Sequence, residues 1–515
     1  MEWKRSLQSS NSYGRHGSHE AGAHAAPSHS HAPAAHSHAA PARAPRPRRG
    51  RRLGLLIGLA AGVILAGSAL FFVFSHVFSV HYLLPGGSQK TELVFKGHLP
   101  ARVPEATWEG FTLVGWEDES GRLVAAPAEP VEEDRVYTAR MMPTLRSDGH
   151  EPYLFPDENG FLLPDSGLSR GEAAVIIESF MAVRVAAEGN YADIPLDAPY
   201  ATAAAVLKTL DVVPGDSFRP EEDITLRELG SMLSQFYPVT QRREISAYPA
   251  DAEPDEPATR AQCAYVINRA LGRGEGLEPE APFTGKTPDL RPDHPLYADM
   301  LEAAVPHSFS LSGGQERWQS AEAFSRELEP GLMFIGTQMY AVDEEGYLIK
   351  NASWEGFDFG YDGRFTSGMP ELDELVQQAL GEIITPDMSE EEKLRAAYDY
   401  TVHSFTYVKG KVYNRGDISW SEEEAYEMLS TGYNNCYGYA AVFYQLARAL
   451  GRDAILISGF YGSNYLPHAW VEFMEGDTRY ICDAEVEMTY HRAELEAPDM
   501  FMMTTAFART WKYTR

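Results

Sequence analysis

Cysteine is scarce: Cys263, Cys436 and Cys482 are the three in 515 residues, too few for a disulfide scaffold. If the chain is exported, an odd count leaves at least one thiol unpaired, and a free thiol outside the cell asks for a chemical explanation. Positive charge is also in short supply. Lys and Arg number 44 against 74 Asp and Glu, a formal net charge of −30. The deficit is uneven: residues 1–52 hold nine Lys/Arg and two acidic residues, a balance of +7, so with no charge in 53–80 the remainder sums to −37. So acidic a body repels nucleic-acid phosphates and anionic lipid headgroups, which argues against DNA or RNA as a partner.

Residues 53–80, from Leu53 to Val80, run for 28 residues without Asp, Glu, Lys or Arg. That exceeds the roughly 20 needed to cross a bilayer core, and it reads as a single membrane-spanning helix. Apolar residues continue beyond Ala66-Gly67-Ser68-Ala69, which favours an anchor over a cleaved signal peptide. Arg43, Arg46, Arg48, Arg49, Arg51 and Arg52 crowd its N-terminal side. The positive-inside bias therefore predicts a cytoplasmic N-terminus and extracellular residues beyond the span. The first 42 residues contain seven His among Ala, Ser, Pro and Gly. A metal-binding tract is one reading. A disordered cytoplasmic tail over 1–52 is the other, favoured because large apolar residues are missing.

Beyond the span the chain divides by pattern. Residues 85–142 alternate apolar and polar positions, as in Phe111-Thr-Leu-Val-Gly-Trp116, and predict short strands. Over 150–310 three similar starts recur: Ser169-Arg170-Gly171-Glu172, Thr225-Leu226-Arg227-Glu228 and Thr259-Arg260-Ala261-Gln262. Each places Ser or Thr to cap a helix that follows a Pro- or Asp-rich turn. Cys263 falls on the apolar face of the third helix with Val266, Ile267 and Ala270 and is expected in the core. Residues 311–368 are rich in aromatics and Gly and read as a β-rich connector. Gly285-Lys286-Thr287 is no phosphate loop, because the required earlier glycine is Glu280.

Residues 370–515 carry the chemistry. Amphipathic helices are expected over Leu372–Ile383, from Ser389 to about Phe405, and over Glu422–Leu429. A polar turn, Gly432-Tyr-Asn-Asn435, then leads into Cys436 and an Ala-rich run closed by Gly451, a helix with its C-terminal cap. Cys436 therefore sits at the helix start, where unpaired N–H groups and the positive dipole end favour a thiolate and offer donors to an oxyanion. Gly438 and Ala440 keep this helix slim for packing on a sheet. Three strands follow: Asp453–Gly459, His468–Phe473 and Arg479–Asp483. If the last two are antiparallel neighbours, the start of one faces the end of the other, and His468 and Asp483 meet on one face. The carboxylate would orient the imidazole while the imidazole pairs with the thiol. Side chains alternate across a strand, so Cys482 points away from the site, which argues against a Cys436–Cys482 disulfide.

These residues carry three resemblances. Asn435-Cys436-Tyr-Gly-Tyr-Ala440, the Leu446…Gly451 helix end, His468-Ala-Trp470 and the Asp483 strand resemble the transglutaminase-like superfamily. That resemblance implies a papain-like α+β core in which Cys436 is the nucleophile, His468 the general base and acid, and Asp483 the orienting carboxylate. This chain follows its Asp with Ala484 where many relatives have Pro. The three helix starts of 150–310 resemble S-layer homology repeats, which implies contact with cell-wall polysaccharide; a helical stalk is the alternative. The 85–142 stretch resembles a β-rich repeat of Gram-positive surface proteins. The expected whole is a multidomain α+β chain with a membrane anchor, needing no cofactor and no metal. Its expected activity is thiol chemistry on protein or peptide amide bonds, by hydrolysis or transamidation. An inactive cell-surface binding or spacer protein is the competing reading.

Overall fold

The computed structural model describes residues 61–68, 72, 75–242, 248–273, 285–312, 315–321 and 326–515. The tail over 1–52 and much of the apolar run lie outside these residues. Residues 61–68 are helical, and no helix among the described residues is long and apolar enough to cross a membrane. The far end of the run departs from expectation. Val77–Leu83 is a strand, β1, rather than the last turn of a helix. Its sequence explains why: Val80 and Tyr82 are buried, while Ser79, just before Val80, faces the other way and donates its N–H and hydroxyl to Asp134. That is a two-residue period, which suits a sheet and not a lipid-facing helix.

β1 belongs to a five-stranded sheet with β2 (Gln89–Phe95), β3 (Phe111–Asp118), β4 (Leu123–Val124) and β5 (Arg135–Pro143), in the order β2-β1-β5-β3-β4. β1 runs parallel to β5 and antiparallel to β2. The strands expected over 85–142 thus form one sheet that begins eight residues earlier, and Val80, Tyr82, Val94, Trp116 and Tyr137 make its core.

The helical region holds α1 (Arg170–Ser179), α2 (Ala201–Thr209), α3 (Leu226–Ser234), α4 (Arg260–Leu271) and α5 (Tyr297–Ala304). Ser169, Thr225 and Thr259 each close a capping box, with Glu172, Glu228 and Gln262 as the reciprocal partners. The turns ahead of the three helices are joined in a ring. Leu168 donates its N–H to Ala258, Ala258 to Ile224, and Ile224 to Leu168, a three-fold arrangement of the three sequence starts. Arg170 pairs with Glu228 and Arg260 with Glu172. Leu226 occupies the corresponding place on α3 and is buried, so one of three ion pairs is replaced by core. Cys263 is buried in this core as expected. An antiparallel hairpin, β6 (His307–Ser312) and β7 (Gln315–Ala321), follows α5.

Two more small sheets lead to the last domain: β8 (Gly331–Ile335) with β9 (Gln338–Val342), and β10 (Ala352–Trp354), β11 (Phe357–Phe359) and β12 (Phe365–Thr366). Helices α6 (Pro370–Ile383) and α7 (Glu390–Ser404) precede β13 (Thr406–Tyr407), α8 (Ser421–Thr431) and β14 (Tyr433–Asn434). Then comes α9 (Cys436–Ala449), buried almost all round, as befits a helix at the centre of a domain. It packs on β15 (Ala454–Tyr461) and β16 (Leu466–Glu475), which continue through β17 (Thr478–Cys482) to β18 (Met503–Thr504) in an antiparallel sheet.

Gly438 serves a different neighbour from the one expected. A Cβ there would lie 2.4 Å from Asn434 Cβ, so the glycine makes room for the turn ahead of the helix and not for the sheet. Asn434 is fixed by donating to the Glu424 carbonyl at 3.1 Å and by accepting from Asn435 N–H at 2.7 Å. Gly438→Ala must push this turn aside and is expected to cost about 1–3 kcal/mol despite alanine's better helix propensity. Chemical denaturation of the two full-length chains measures it.

Candidate active site

Cys436 is the first residue of α9, and Asn435 caps that helix by accepting from Tyr437 N–H at 3.0 Å. The other end of the Asn435 amide donates to the Lys411 carbonyl at 2.8 Å. β13 and β14 pair in parallel just upstream. The turn that presents the sulfur is therefore held on both sides. The Cys436 N–H is one of the first-turn donors that a helix leaves without an internal acceptor.

His468 is the third residue of β16. Asp483 lies immediately after β17 and caps α10 (Ala484–Arg492), accepting from Val486 N–H at 3.1 Å. The expected strand 479–483 thus ends one residue sooner, and the Asp-Ala sequence starts a helix. The register sets Val471 opposite Cys482. Extending it puts Asp483 opposite Trp470, two residues from His468 on the same face, within diagonal reach. His468 Nε2 and Asp483 Oδ2 are 2.7 Å apart, both groups buried. With Nε2 held by Asp483, Cys436 is the ring's second stabilising neighbour and also favours its charged form. The three residues singled out from sequence therefore converge.

Burial works against a charge on His468, but Asp483 and then Cys436 overcome it and hold the ring's pKa well above 6.5. Since the folded value is raised, the imidazolium's contribution to stability is complete below about 6.5. It is lost as pH rises through the folded value. Reactions that need the imidazolium as proton donor decline over the same alkaline window.

The cysteines divide cleanly. All three are free, but Cys263 and Cys482 are 0% and 1% exposed, and burial pushes both thiols far up. Cys482 accepts Met502 N–H at 3.1 Å, away from His468. Cys436 is 8% exposed beside an imidazolium. Iodoacetamide at neutral pH is expected to modify Cys436 at least tenfold faster than the other two, and His468→Ala to remove most of that advantage. Peptide mass mapping over time reads each site.

Two nearby residues were not singled out from the sequence. Tyr513 donates its hydroxyl to Asp483 Oδ2 at 2.6 Å, so this carboxylate is held by an imidazole, a phenol and a backbone N–H. Tyr513 arrives because Thr514 bridges to Phe460 on the edge of β15. No local pattern marks such a contact between the last residues and a strand some fifty positions earlier. Glu485 Oε2 lies 4.0 Å from His468 Nδ1, and burial raises its pKa. Only the helix turn after Asp483 brings it there.

Residues 377–482 match the model of the transglutaminase-like superfamily. The match takes in Cys436 and His468 and ends one residue before Asp483. No curated protein matches the chain. A solved structure of a candidate cysteine protease from Cytophaga hutchinsonii is 21% identical, with a TM-score of 0.18. The alignment covers 27% of this chain and spans less than half, 44%, of that one.

Proposed function

We propose that this chain is a thiol enzyme that hydrolyses or exchanges amide bonds of proteins or peptides through Cys436, His468 and Asp483. The observation that carries the reading is the buried 2.7 Å contact of His468 with Asp483, next to a thiol at a helix start. Cys436 Sγ attacks the amide carbonyl, and the C–N bond breaks as His468 gives its proton to the departing amine. The Cys436 N–H supports the oxyanion. Water or a second amine, deprotonated by His468, then attacks the thioester and restores the thiol. Asp483 keeps the ring oriented and its positive charge stabilised.

The same proposal puts the domain on the outer face of a cell membrane. Its support is the Arg-rich flank of 43–52 and the apolar run that follows. The ring of three capped helix starts supports cell-wall polysaccharide as a contact of the 150–310 region. Protease added to intact cells carrying the full-length chain is expected to remove the C-terminal domain, and an intact domain would refute this placement.

The activity test incubates the full-length chain with a Gln-rich protein and a labelled primary amine. Incorporation marks transamidation and cleavage marks proteolysis. Neither, from a folded chain whose Cys436 reacts no faster than Cys263, refutes the enzyme and leaves a surface binding module.

A further inference from the structure

A second cluster of reactive side chains lies outside the thiol site, where α5 and the β6–β7 hairpin meet the segment after β5. His150, Glu302, His307 and Glu316 bring one ligand atom each to within 4.8 Å of the others. All four side chains are essentially inaccessible, between 0% and 3% exposed. We propose that these four residues bind one divalent transition-metal ion of the zinc type, as a closed structural site. The spacing of positions 150, 302, 307 and 316 matches no short metal motif, and the sequence reading expected no metal.

The distances support a common centre. His150 Nδ1 lies 2.8 Å from Glu302 Oε1, 3.0 Å from Glu316 Oε1 and 3.2 Å from His307 Nε2. His307 Nε2 lies 3.1 Å from Glu302 Oε2 and 3.4 Å from Glu316 Oε1. Four ligands about 2.0–2.1 Å from a tetrahedral ion are separated by about 3.3 Å along each edge. Glu302 Oε1 is fully buried and has no partner in hydrogen-bond geometry, despite its closeness to His150. The two atoms do not point at one another.

Charge leads to the same conclusion. Two carboxylates buried together require about two compensating positive charges. Arg273 acts on both carboxylates from nearby, but its guanidinium donates to the carbonyls of Gly149 and Glu151. Two imidazolium protons would place N–H against N–H across the 3.2 Å between His150 Nδ1 and His307 Nε2. One divalent cation supplies the charge and turns that gap into a ligand edge. His307 is oriented for that role: its Nδ1 donates to the Val305 carbonyl at 2.7 Å, which turns Nε2 toward the carboxylates. Trp318 Nε1 orients Glu302 from behind, donating to Oε2 at 3.2 Å. Phe309 stacks on His150 and Trp318 on His307, a shell that excludes water. With four protein ligands and no open position, the ion would fasten the hairpin to the helical region instead of doing chemistry. Two nitrogens and two oxygens suit Zn²⁺ better than Ca²⁺ or Mg²⁺.

The test uses the full-length chain with Cys436→Ala, so that the active thiol takes no metal. This parent is compared with versions that add Glu302→Gln and Glu316→Gln together, or His307→Gln alone. After Zn²⁺ loading and gel filtration, the parent should hold one more equivalent of zinc than either version, the N-terminal histidines being common to all. Chelator should lower the parent's melting temperature by several degrees, and Co²⁺ should give it the intense visible absorption of four-coordinate cobalt. Equal zinc content in folded versions overturns the proposal. So does a parent with neither a chelator effect nor that absorption, which is decisive even if every version misfolds.

Discussion

Cys436→Ala is expected to leave the chain folded and to lower amide hydrolysis or amine incorporation by on the order of 10⁴- to 10⁶-fold. Stability should change little, by about 1 kcal/mol, because only one sulfur at the rim of the core is removed. Circular dichroism and a melting curve establish the fold, and the labelled-amine and cleavage assays give the rates. The residual activity is informative. The N–H groups at the start of α9 remain in the variant, so binding and oxyanion support persist without a nucleophile. A variant retaining more than a tenth of wild-type activity would remove Cys436 from the reaction.

Asp483→Asn separates two roles that this one side chain holds. The carboxylate caps α10 through Val486 N–H at 3.1 Å and holds His468 Nε2 at 2.7 Å. Asparagine is as good a cap as aspartate, so denaturation should shift by less than about 1 kcal/mol. The amide carries no charge to stabilise the imidazolium and offers it no carboxylate oxygen. Activity should fall about 10³- to 10⁴-fold, and the pKa of His468, followed by NMR, should drop toward its ordinary value. Asp483→Ala should show the same loss of rate plus a cap penalty of about 1 kcal/mol. If Asn retains wild-type rate and an unshifted His468, the carboxylate is only a cap.

The thiol site was legible because its signals are local. A helix start is marked by Asn435, Cys436 and the apolar run behind it, and a strand start by His468-Ala-Trp470. Each needs only the residues beside it. Tyr513 was not legible, because nothing within its own neighbourhood points to Asp483. The strand at Val77–Leu83 was misread for a related reason. An unbroken apolar run satisfies both a helix and a buried strand, and the alternation of Val80 and Tyr82 with Ser79 and His81 is too short to decide. Asp134, which takes Ser79's hydrogen bonds, lies 55 residues away. Gly438 was seen as a slim position, but Asn434, whose side chain the glycine accommodates, came from the tertiary turn.

The sequence by itself marked the three capped helix starts and the helix that begins at Cys436, and it singled out Cys436, His468 and Asp483 as candidates for one site. Composition, caps and periodicity act over a few residues and survive without the fold. Only the tertiary structure decided the register that brings His468 to Asp483, the clamp from Tyr513, and the meeting of His150, Glu302, His307 and Glu316. Those contacts join positions up to 166 residues apart, from His150 to Glu316. Side chains so distant in the chain have no energetic relation until the core closes and removes water from between them.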